Sequence, residues 1–234
     1  MLHHDPTSEA KLTKQNFDNF VDSFLWQVGA AGDSLKTKIG QLFDEAYAQG
    51  VFDKVFPGFS LMDGCDQGAV KHMEGDVLAH TKEVLLAVAE RIANLSGPLR
   101  EDRESKELLI CAALIHDIEK PHTRKELDLG DVAFPGHEKK AGERVPKLGE
   151  RIGLSTNQID RLEWLVTHHG DFYGLDKLDL NQKREFYSHP DFELALLFYE
   201  CDCQAFWMSS DGENRRIPAT SQILAERENI IEKK

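Results

Sequence analysis

The stretch from Leu108 to Lys120 reads LLICAALIHDIEK, a run of eight apolar residues followed at once by the pair His116-Asp117. A helix that is apolar nearly all round lies in a protein core, so the pair at its end lies deep as well. An ionised Asp117 buried without a partner is very costly, and a hydrogen-bonded cation or a metal ion relieves that cost. The alternative is a helix that leaves the core at its last turn, with both side chains in water.

Apolar residues recur at helical spacing on both sides of this stretch. Asp76 is placed to begin one helix, and Ser155 with Gln158 has the pattern of a capping box at the start of another. No alternating pattern typical of a strand is present. The sequence therefore predicts an all-α protein, in which residues 1–50 form an N-terminal helical hairpin packed on residues 51–234 as one structural unit.

The amino-acid composition limits the kinds of molecule that we expect this protein to bind. The 234 residues include 28 basic and 41 acidic ones, and the net charge of −13 argues against general nucleic-acid binding. A small anionic substrate would need a local positive group. The four cysteines have no disulfide-framework spacing, the amino terminus lacks a secretory leader pattern, and no apolar run is long enough to span a membrane. We expect a cytoplasmic protein without a membrane partner, and its oligomeric state is open.

Six polar residues stand on apolar helix faces or at helix ends beside them, where an idle polar group is costly. One such residue is more often a hydrogen-bonded core side chain than a ligand. Several from separate helices can instead surround one or two divalent ions. Nitrogen and oxygen ligands of this mixture suit iron, manganese, nickel, cobalt or zinc, and magnesium is also open. The six are His80, His116, Asp117, His137, His169 and Asp202.

The order of His80, the pair His116-Asp117 and then Asp202 resembles the signature of the HD-domain metal-dependent phosphohydrolases. Four segments are more narrowly similar to the HD domain of bacterial CCA-adding tRNA nucleotidyltransferases. The nucleotidyltransferase part of those enzymes is absent, so the resemblance implies a free-standing hydrolase. The four segments are HMEGDVLAHT at 72–81, HDIEKPHT at 116–123, GHE at 136–138 and ECD at 200–202.

The resemblance implies a helical bundle with a metal site in its centre. A first ion would be held by His80, His116, Asp117 and Asp202, and Asp117 would bridge to a second ion held by His137 and His169. Of the adjacent pair, the family pattern favours His169 as the ligand and leaves His168 near the substrate. Glu119 departs from the glycine usual in the family, which leaves the backbone path after Asp117 open.

Catalytic and substrate-binding roles follow from the same resemblance. Asp117 and Lys120 would be catalytic, with Lys120 neutralising the substrate phosphate from one helical turn beyond His116. Lysine near a helix carboxyl end can instead merely complement the helix dipole. His72 and Glu74 would line the mouth of the pocket, within a long connection where helical spacing fails, or would serve as loop caps.

The function that we expect is hydrolysis of a nucleotide or of another small phosphomonoester or cyclic phosphodiester by metal-activated water. The partner would then be a small phosphorylated molecule. One alternative is an HD-fold di-iron oxygenase that resembles the myo-inositol oxygenases and uses the same six ligands. Another is a non-enzymatic regulator that binds a nucleotide or a tRNA end.

Overall fold

The computed structural model describes residues 6–30, 32, 34–68, 75–127, 131–207 and 218–231. Almost all regular structure in these residues is helical, which confirms the all-α prediction. Short 3₁₀ helices at Phe59–Met62, Pro98–Arg100 and Asp171–Lys177 connect longer elements. The α-helices are α1 Pro6–Gly29, α2 Leu35–Ala48, α3 Val51–Val55, α4 Val77–Ala93, α5 Arg103–Ile115, α6 Lys120–Thr123, α7 His137–Ile152, α8 Thr156–His168, α9 Leu180–Ser188, α10 Phe192–Trp207 and α11 Thr220–Ile231.

A small β-hairpin is the one departure from the all-helical prediction among the described residues. Strands β1, Lys125–Glu126, and β2, Val132–Ala133, pair antiparallel. Strands of two residues are too short to show a period of two in the sequence. The hairpin follows α6 and leads the chain toward α7, so it forms part of the connection between the buried pair and His137.

Two predicted helix starts are confirmed by their caps. Asp76 accepts a hydrogen bond from the backbone N–H of Ala79 at the start of α4, at 2.8 Å. Ser155 and Gln158 make both reciprocal bonds of a capping box at the start of α8. Each cap satisfies backbone N–H groups that the first turn of a helix leaves without partners. Pro146 lies inside α7, which nevertheless continues to Ile152.

The central helices pack around α4 and α5. Helix α4 contacts α1, α2, α5 and α10, while α5 also contacts α8 and α10. Helices α7 and α8 form a tightly packed hairpin, and α1 contacts α7 as well as α2 and α4. The N-terminal helices thus pack on the remainder of the chain, and the division at residue 50 stays a prediction.

Helix α5 lies in the core along its whole apolar length. Every residue from Leu108 to Ile115 is at most 1% exposed, and His116 and Asp117 are each 1% exposed. The alternative in which this helix leaves the core at its last turn is therefore wrong. None of the described helices combines the length and apolar content that crossing a bilayer requires.

Candidate metal centre

The structure brings the six candidate ligands together as two adjacent groups of three. Within each group, one possible ligand atom from every residue lies within 4.8 Å of the others. The residues come from α4, α7 and α10 and from the ends of α5 and α8. Their role as metal ligands stays a prediction. One group is His80, His116 and Asp202, and the other is Asp117, His137 and His169.

Helices α4 and α10 each supply one residue of the first group. His80 lies in the first turn of α4 and is 2% exposed, and Asp202 lies in α10. Nε2 of His80 is 3.0 Å from Oδ1 of Asp202. Tyr173 donates a hydrogen bond from its hydroxyl to the other oxygen, Oδ2, of Asp202 at 3.0 Å. Both oxygens of this buried carboxylate are therefore oriented by neighbours.

Three of the histidines are oriented by the same kind of hydrogen bond to the backbone. The Nδ1 atom of each ring lies 2.7–3.1 Å from a backbone carbonyl oxygen three residues earlier. A carbonyl only accepts, so Nδ1 carries the proton and Nε2 presents its lone pair to the centre in the neutral ring. Hydrogen bonds of this kind commonly orient metal-binding histidines. The pairs are His116 with Ala113, His137 with Phe134 and His169 with Val166.

Asp117 joins the two groups because each of its oxygens faces one of them. Oδ2 lies 3.2 Å from Nε2 of His116 and 3.7 Å from Nε2 of His80. Oδ1 lies 3.1 Å from Nε2 of His137 and 3.8 Å from Nε2 of His169. A carboxylate in this position can bind one ion through each oxygen.

Both carboxyl groups of the centre are ionised despite their burial. Burial by itself raises the pKa of Asp117, but His116 and Lys120 outweigh it and hold that pKa well below its usual range. Burial also raises the pKa of Asp202, but the hydrogen bond with His80 and the electrostatic effect of the neighbouring histidines together outweigh it, so this pKa is lowered as well. Carboxylates bind divalent ions in this deprotonated form.

Two imidazoles respond differently to the same surroundings. Burial lowers the pKa of His169 to about 3, with His116 and His137 adding to the effect. Burial lowers the pKa of His137 too, but the close carboxylate of Asp117, together with the charge of Glu138, outweighs burial and raises the pKa overall. His169 is therefore neutral, the form that binds metals. At His137 a metal ion would take the place of the proton shared with Asp117.

Several buried polar atoms of this centre lack hydrogen bonds, and their chemistry indicates whether a metal ion would fit there. Nε2 of His116 and both carboxylate oxygens of Asp117 are buried and make no hydrogen bond of acceptable geometry with the described residues. The ammonium of Lys120 is only 2.7 Å from Oδ2 of Asp117, so charge is near that oxygen although the direction is poor for a hydrogen bond. Leaving such atoms idle is costly. A divalent ion bound to nitrogen and oxygen donors would satisfy them.

Comparison with protein-family models finds that the model described as HD domain matches residues 77–203. The chain belongs to the HD-domain family. The pair His116-Asp117 lies within the matched range, together with the other four candidate ligands. The family suggests the metal-dependent phosphohydrolase superfamily, in agreement with the two His/Asp groups. A search of curated proteins finds no match, so the narrower resemblance to CCA-adding enzymes stays a prediction.

A cavity of about 420 Å³ is lined in part by the six candidate ligands. Lys120 lies in its wall and is 7% exposed, with its ammonium 2.7 Å from both Asp117 Oδ2 and Gln67 Oε1. A helix-dipole role alone does not describe this residue, which instead brings a positive charge to the cavity. Further lining residues are Phe134, Pro135, Gly136, Glu138, Gly170 and Tyr173.

The remaining predicted substrate-binding residues have different outcomes. His168 is not in the cavity wall, because its Nδ1 is 2.6 Å from Asp171 Oδ2 and its ring packs on Trp164. The neighbouring His169 turns inward instead, as expected when adjacent helical residues differ by about 100° in direction. His72 and Glu74 lie outside the described residues.

Glu119, which replaces the family glycine, is accommodated without an unusual backbone. Its φ of −97° lies outside the left-handed region, so no glycine is needed there in this HD domain. The side chain is 8% exposed and pairs with Nη1 of Arg144 at 2.5 Å. Arg144 also donates to the carbonyl of Pro57 at 2.5 Å. Glu119 thus forms a partly buried ion pair that ties the turn after Asp117 to α7.

Gln67 and Tyr173 are cavity residues that the sequence did not indicate. Both are ordinary polar or aromatic residues, and no short motif contains either of them. Gln67 lies 53 positions before the lysine that it contacts, and Tyr173 lies 29 positions before Asp202. A weak signal for Tyr173 was its place four residues after the ligand-type His169.

Proposed function

We propose that this HD domain is a metal-dependent phosphohydrolase that acts on a nucleotide or on another small phosphomonoester or cyclic phosphodiester. The observation that carries the proposal is the position of Asp117, which offers one oxygen to each group of three ligands. Lys120, beside it, supplies a positive charge at the wall of a cavity. The cavity is within the volume range of small-molecule sites.

His80, His116, Asp117 and Asp202 would hold one divalent ion, and His137 with His169 would hold a second that shares Asp117. Metal ions so bound would lower the pKa of a water molecule and offset negative charge on phosphoryl oxygens. The donor set admits iron, manganese, nickel, cobalt, zinc or magnesium. The two groups favour two ions over one, since each contains three possible ligand atoms.

The protein's own residues bind and orient the substrate around this centre. The ammonium of Lys120 would attract a phosphoryl oxygen and hold it next to Asp117. The Nδ1 bonds to backbone carbonyls fix three imidazoles before any substrate arrives, so the site needs little reorganisation. The acid Glu138, on the cavity wall beside His137, would repel substrates that place a second anionic group there.

Metal analysis followed by a screen of phosphorylated small molecules tests the proposal. Protein purified without a chelator should contain divalent metal and release phosphate or nucleoside from at least one compound. Asp117→Asn, which keeps the size of the side chain, should reduce metal content and lower kcat at least about a hundredfold, as expected when a buried charge that binds the ions is removed. Asp160→Asn, on the exposed side of α8, is the matched control. Full activity in Asp117→Asn would contradict the proposal.

A di-iron oxygenase is the second candidate, and the group containing His137 and His169 favours it. With this group the chain provides six ligands, the number that the resemblance to myo-inositol oxygenases requires. Iron above one equivalent per chain, oxygen consumption with a polyol and no phosphate release would select the oxygenase. Phosphate release with manganese, nickel or magnesium and without oxygen uptake would select the phosphohydrolase.

A further inference from the structure

The side-chain amide of Gln67 has a fixed orientation at the cavity wall. Its Oε1 is 2.7 Å from Nζ of Lys120. An ammonium can only donate, so the amide oxygen must face Lys120 and the amide nitrogen must point the other way. Gln67 is 1% exposed and lines the cavity.

The amide nitrogen of Gln67 is the unusual feature of this wall. Nε2 is buried and has no hydrogen-bond partner in the part of the chain that the structure describes. Its two N–H donors therefore bear a desolvation cost without a compensating bond. Uncompensated donors in the wall of a substrate cavity point to an acceptor on the ligand.

The backbone just before Gln67 is held by two hydrogen bonds. The carbonyl of Asp66 accepts a hydrogen bond from Nε of Arg124 at 3.1 Å. The carbonyl of Cys65 accepts one from the backbone N–H of Val77 at 3.1 Å, at the start of α4. Gln67 is thus positioned against α4 and α6 by the backbone that precedes it.

The charge of Lys120 is already shared before any ligand binds. One of its three N–H donors is directed to Gln67 Oε1, and its ammonium is 2.7 Å from the carboxylate of Asp117. The ring of Phe134 lies under the ammonium at 5.3 Å. Lys120 therefore has limited capacity for an incoming anion and needs a second donor beside it.

We propose that Gln67 is a substrate-binding residue whose Nε2 donates to a phosphoryl oxygen held between it and Lys120. The inference rests on the proposed phosphohydrolase function and names the group that the cavity recognises, a terminal phosphoryl group. Gln67 has two tasks in this arrangement: its oxygen orients Lys120, and its nitrogen binds the ligand. A pair of substitutions can separate the two.

Gln67→Met keeps the length of the side chain and removes both the acceptor and the donors. Gln67→Glu keeps an oxygen that can accept from Lys120 but replaces the donor nitrogen with a second oxygen. The charge of glutamate repels phosphate whichever task Gln67 has, so the two tasks are separated in the Lys120→Met background, where no ammonium remains to be oriented. If Gln67 only orients Lys120, Gln67→Met has no further effect on phosphate affinity in that background, whereas direct binding by the nitrogen predicts a further loss. Gln49→Met, at an exposed position after α2, is the matched control.

The first measurement is binding of inorganic phosphate to the metal-loaded protein by isothermal titration calorimetry. Kinetics with p-nitrophenyl phosphate and metal content per chain are recorded alongside. We expect Gln67→Met to weaken phosphate binding about tenfold and to raise KM by a similar factor, as for loss of one hydrogen bond to a charged group. Its metal content should match that of Gln49→Met, because the candidate metal ligands are untouched.

Three results would overturn the inference: wild-type affinity in Gln67→Met, no further loss of affinity when Gln67→Met is added to Lys120→Met, or no phosphate binding by the wild-type protein. The same measurements distinguish failure of this inference from failure of the proposed function. If phosphate binds with the expected dependence on Gln67 and no phosphate ester in the screen is hydrolysed, the inference holds and the phosphohydrolase function fails. If esters are hydrolysed and Gln67→Met is unaffected, the function holds and the inference fails.

Discussion

Tyr173 fixes the carboxylate of Asp202 from the side opposite His80. Its hydroxyl donates to Oδ2 at 3.0 Å, while Nε2 of His80 is 3.0 Å from Oδ1. Tyr173→Phe removes this hydroxyl and keeps the ring, which packs against Tyr199. Because loss of a residue that orients a metal ligand typically costs ten- to a hundredfold, we expect roughly tenfold weaker binding of the first ion. Titration of the metal-free protein with Mn²⁺ measures the change.

Tyr47→Phe is the control for that substitution. The hydroxyl of Tyr47 donates to Asp63 Oδ2 at 3.0 Å, the same kind of bond to the same kind of group, but neither residue lines the cavity. The control should leave the affinity for Mn²⁺ unchanged. Equal affinities in Tyr173→Phe and wild-type protein would show that Asp202 needs no support from the hydroxyl.

The six clustered residues could be predicted as a group, because each is a polar residue placed where an apolar one is expected and several such residues together favour a metal site. His80 interrupts an apolar helical stripe, and Asp117 follows a run of eight apolar residues. Gln67 and Tyr173 carry no such contradiction, since an uncharged amide and a tyrosine are common in any loop. Their importance depends on which atoms face them, Lys120 for Gln67 and Asp202 for Tyr173, and this is a property of the folded chain.

Close packing of α7 against α8 brings His137 near His169. A methyl group added at Gly142 would lie 1.9 Å from Oγ1 of Thr167 in α8, and one added at Gly149 would lie 2.7 Å from Cγ1 of Ile159. Real atoms do not approach so closely, so these helices meet where α7 has no side chain. The separation of these two candidate ligands therefore depends on small residues of α7 that are not candidate ligands themselves.

Gly142→Ala should destabilise the fold and weaken the second group. Overpacking of this kind typically lowers the free energy of unfolding by about 1–3 kcal/mol. The helices would also move apart, and His137 at the start of α7 would shift relative to His169. Urea denaturation measures the first effect, and the number of ions bound per chain measures the second.

Gly29→Ala is the matched control, because nothing lies within 4 Å of a methyl group added there. It ends α1, where alanine is favoured over glycine by about 1 kcal/mol at most. Its urea midpoint should equal or exceed that of the wild-type protein. A Gly142→Ala variant as stable as Gly29→Ala would show that α8 adjusts at no cost.

The long helices could be predicted from sequence, whereas the short elements between them could not. Ser155 and Gln158 mark the start of α8 through a capping box, and a pattern confined to four neighbouring residues can be recognised in a sequence. Helix α6 has four residues and each strand of the hairpin has two, too few to display a period. Their conformation comes from tertiary partners such as Arg144, which pairs with Glu119 across 25 positions.

The candidate metal centre lies where the main helices of the molecule meet. Helices α4 and α10 carry two of the candidate ligands, and His116 and His169 directly follow α5 and α8. Metal ions bound there would link elements that are distant in the sequence and would offset the buried charges of Asp117 and Asp202. Binding to the folded chain and not to the unfolded one stabilises the fold by mass action.

Removing the metal should therefore lower the Tm of the whole protein. An ion present at a hundred times its Kd contributes about 2.7 kcal/mol. For a chain of 150–250 residues, 1 kcal/mol shifts Tm by about 2–4 °C, so dialysis against EDTA should lower Tm by roughly 5–10 °C. Mn²⁺ added back should restore the value. In Asp117→Asn, both the fall in Tm after EDTA dialysis and its recovery with Mn²⁺ should be much smaller, because this variant lacks the carboxylate that both groups share. Equal melting temperatures with and without metal would mean that the buried carboxylates are stabilised by the protein alone, through His80, His116 and Lys120.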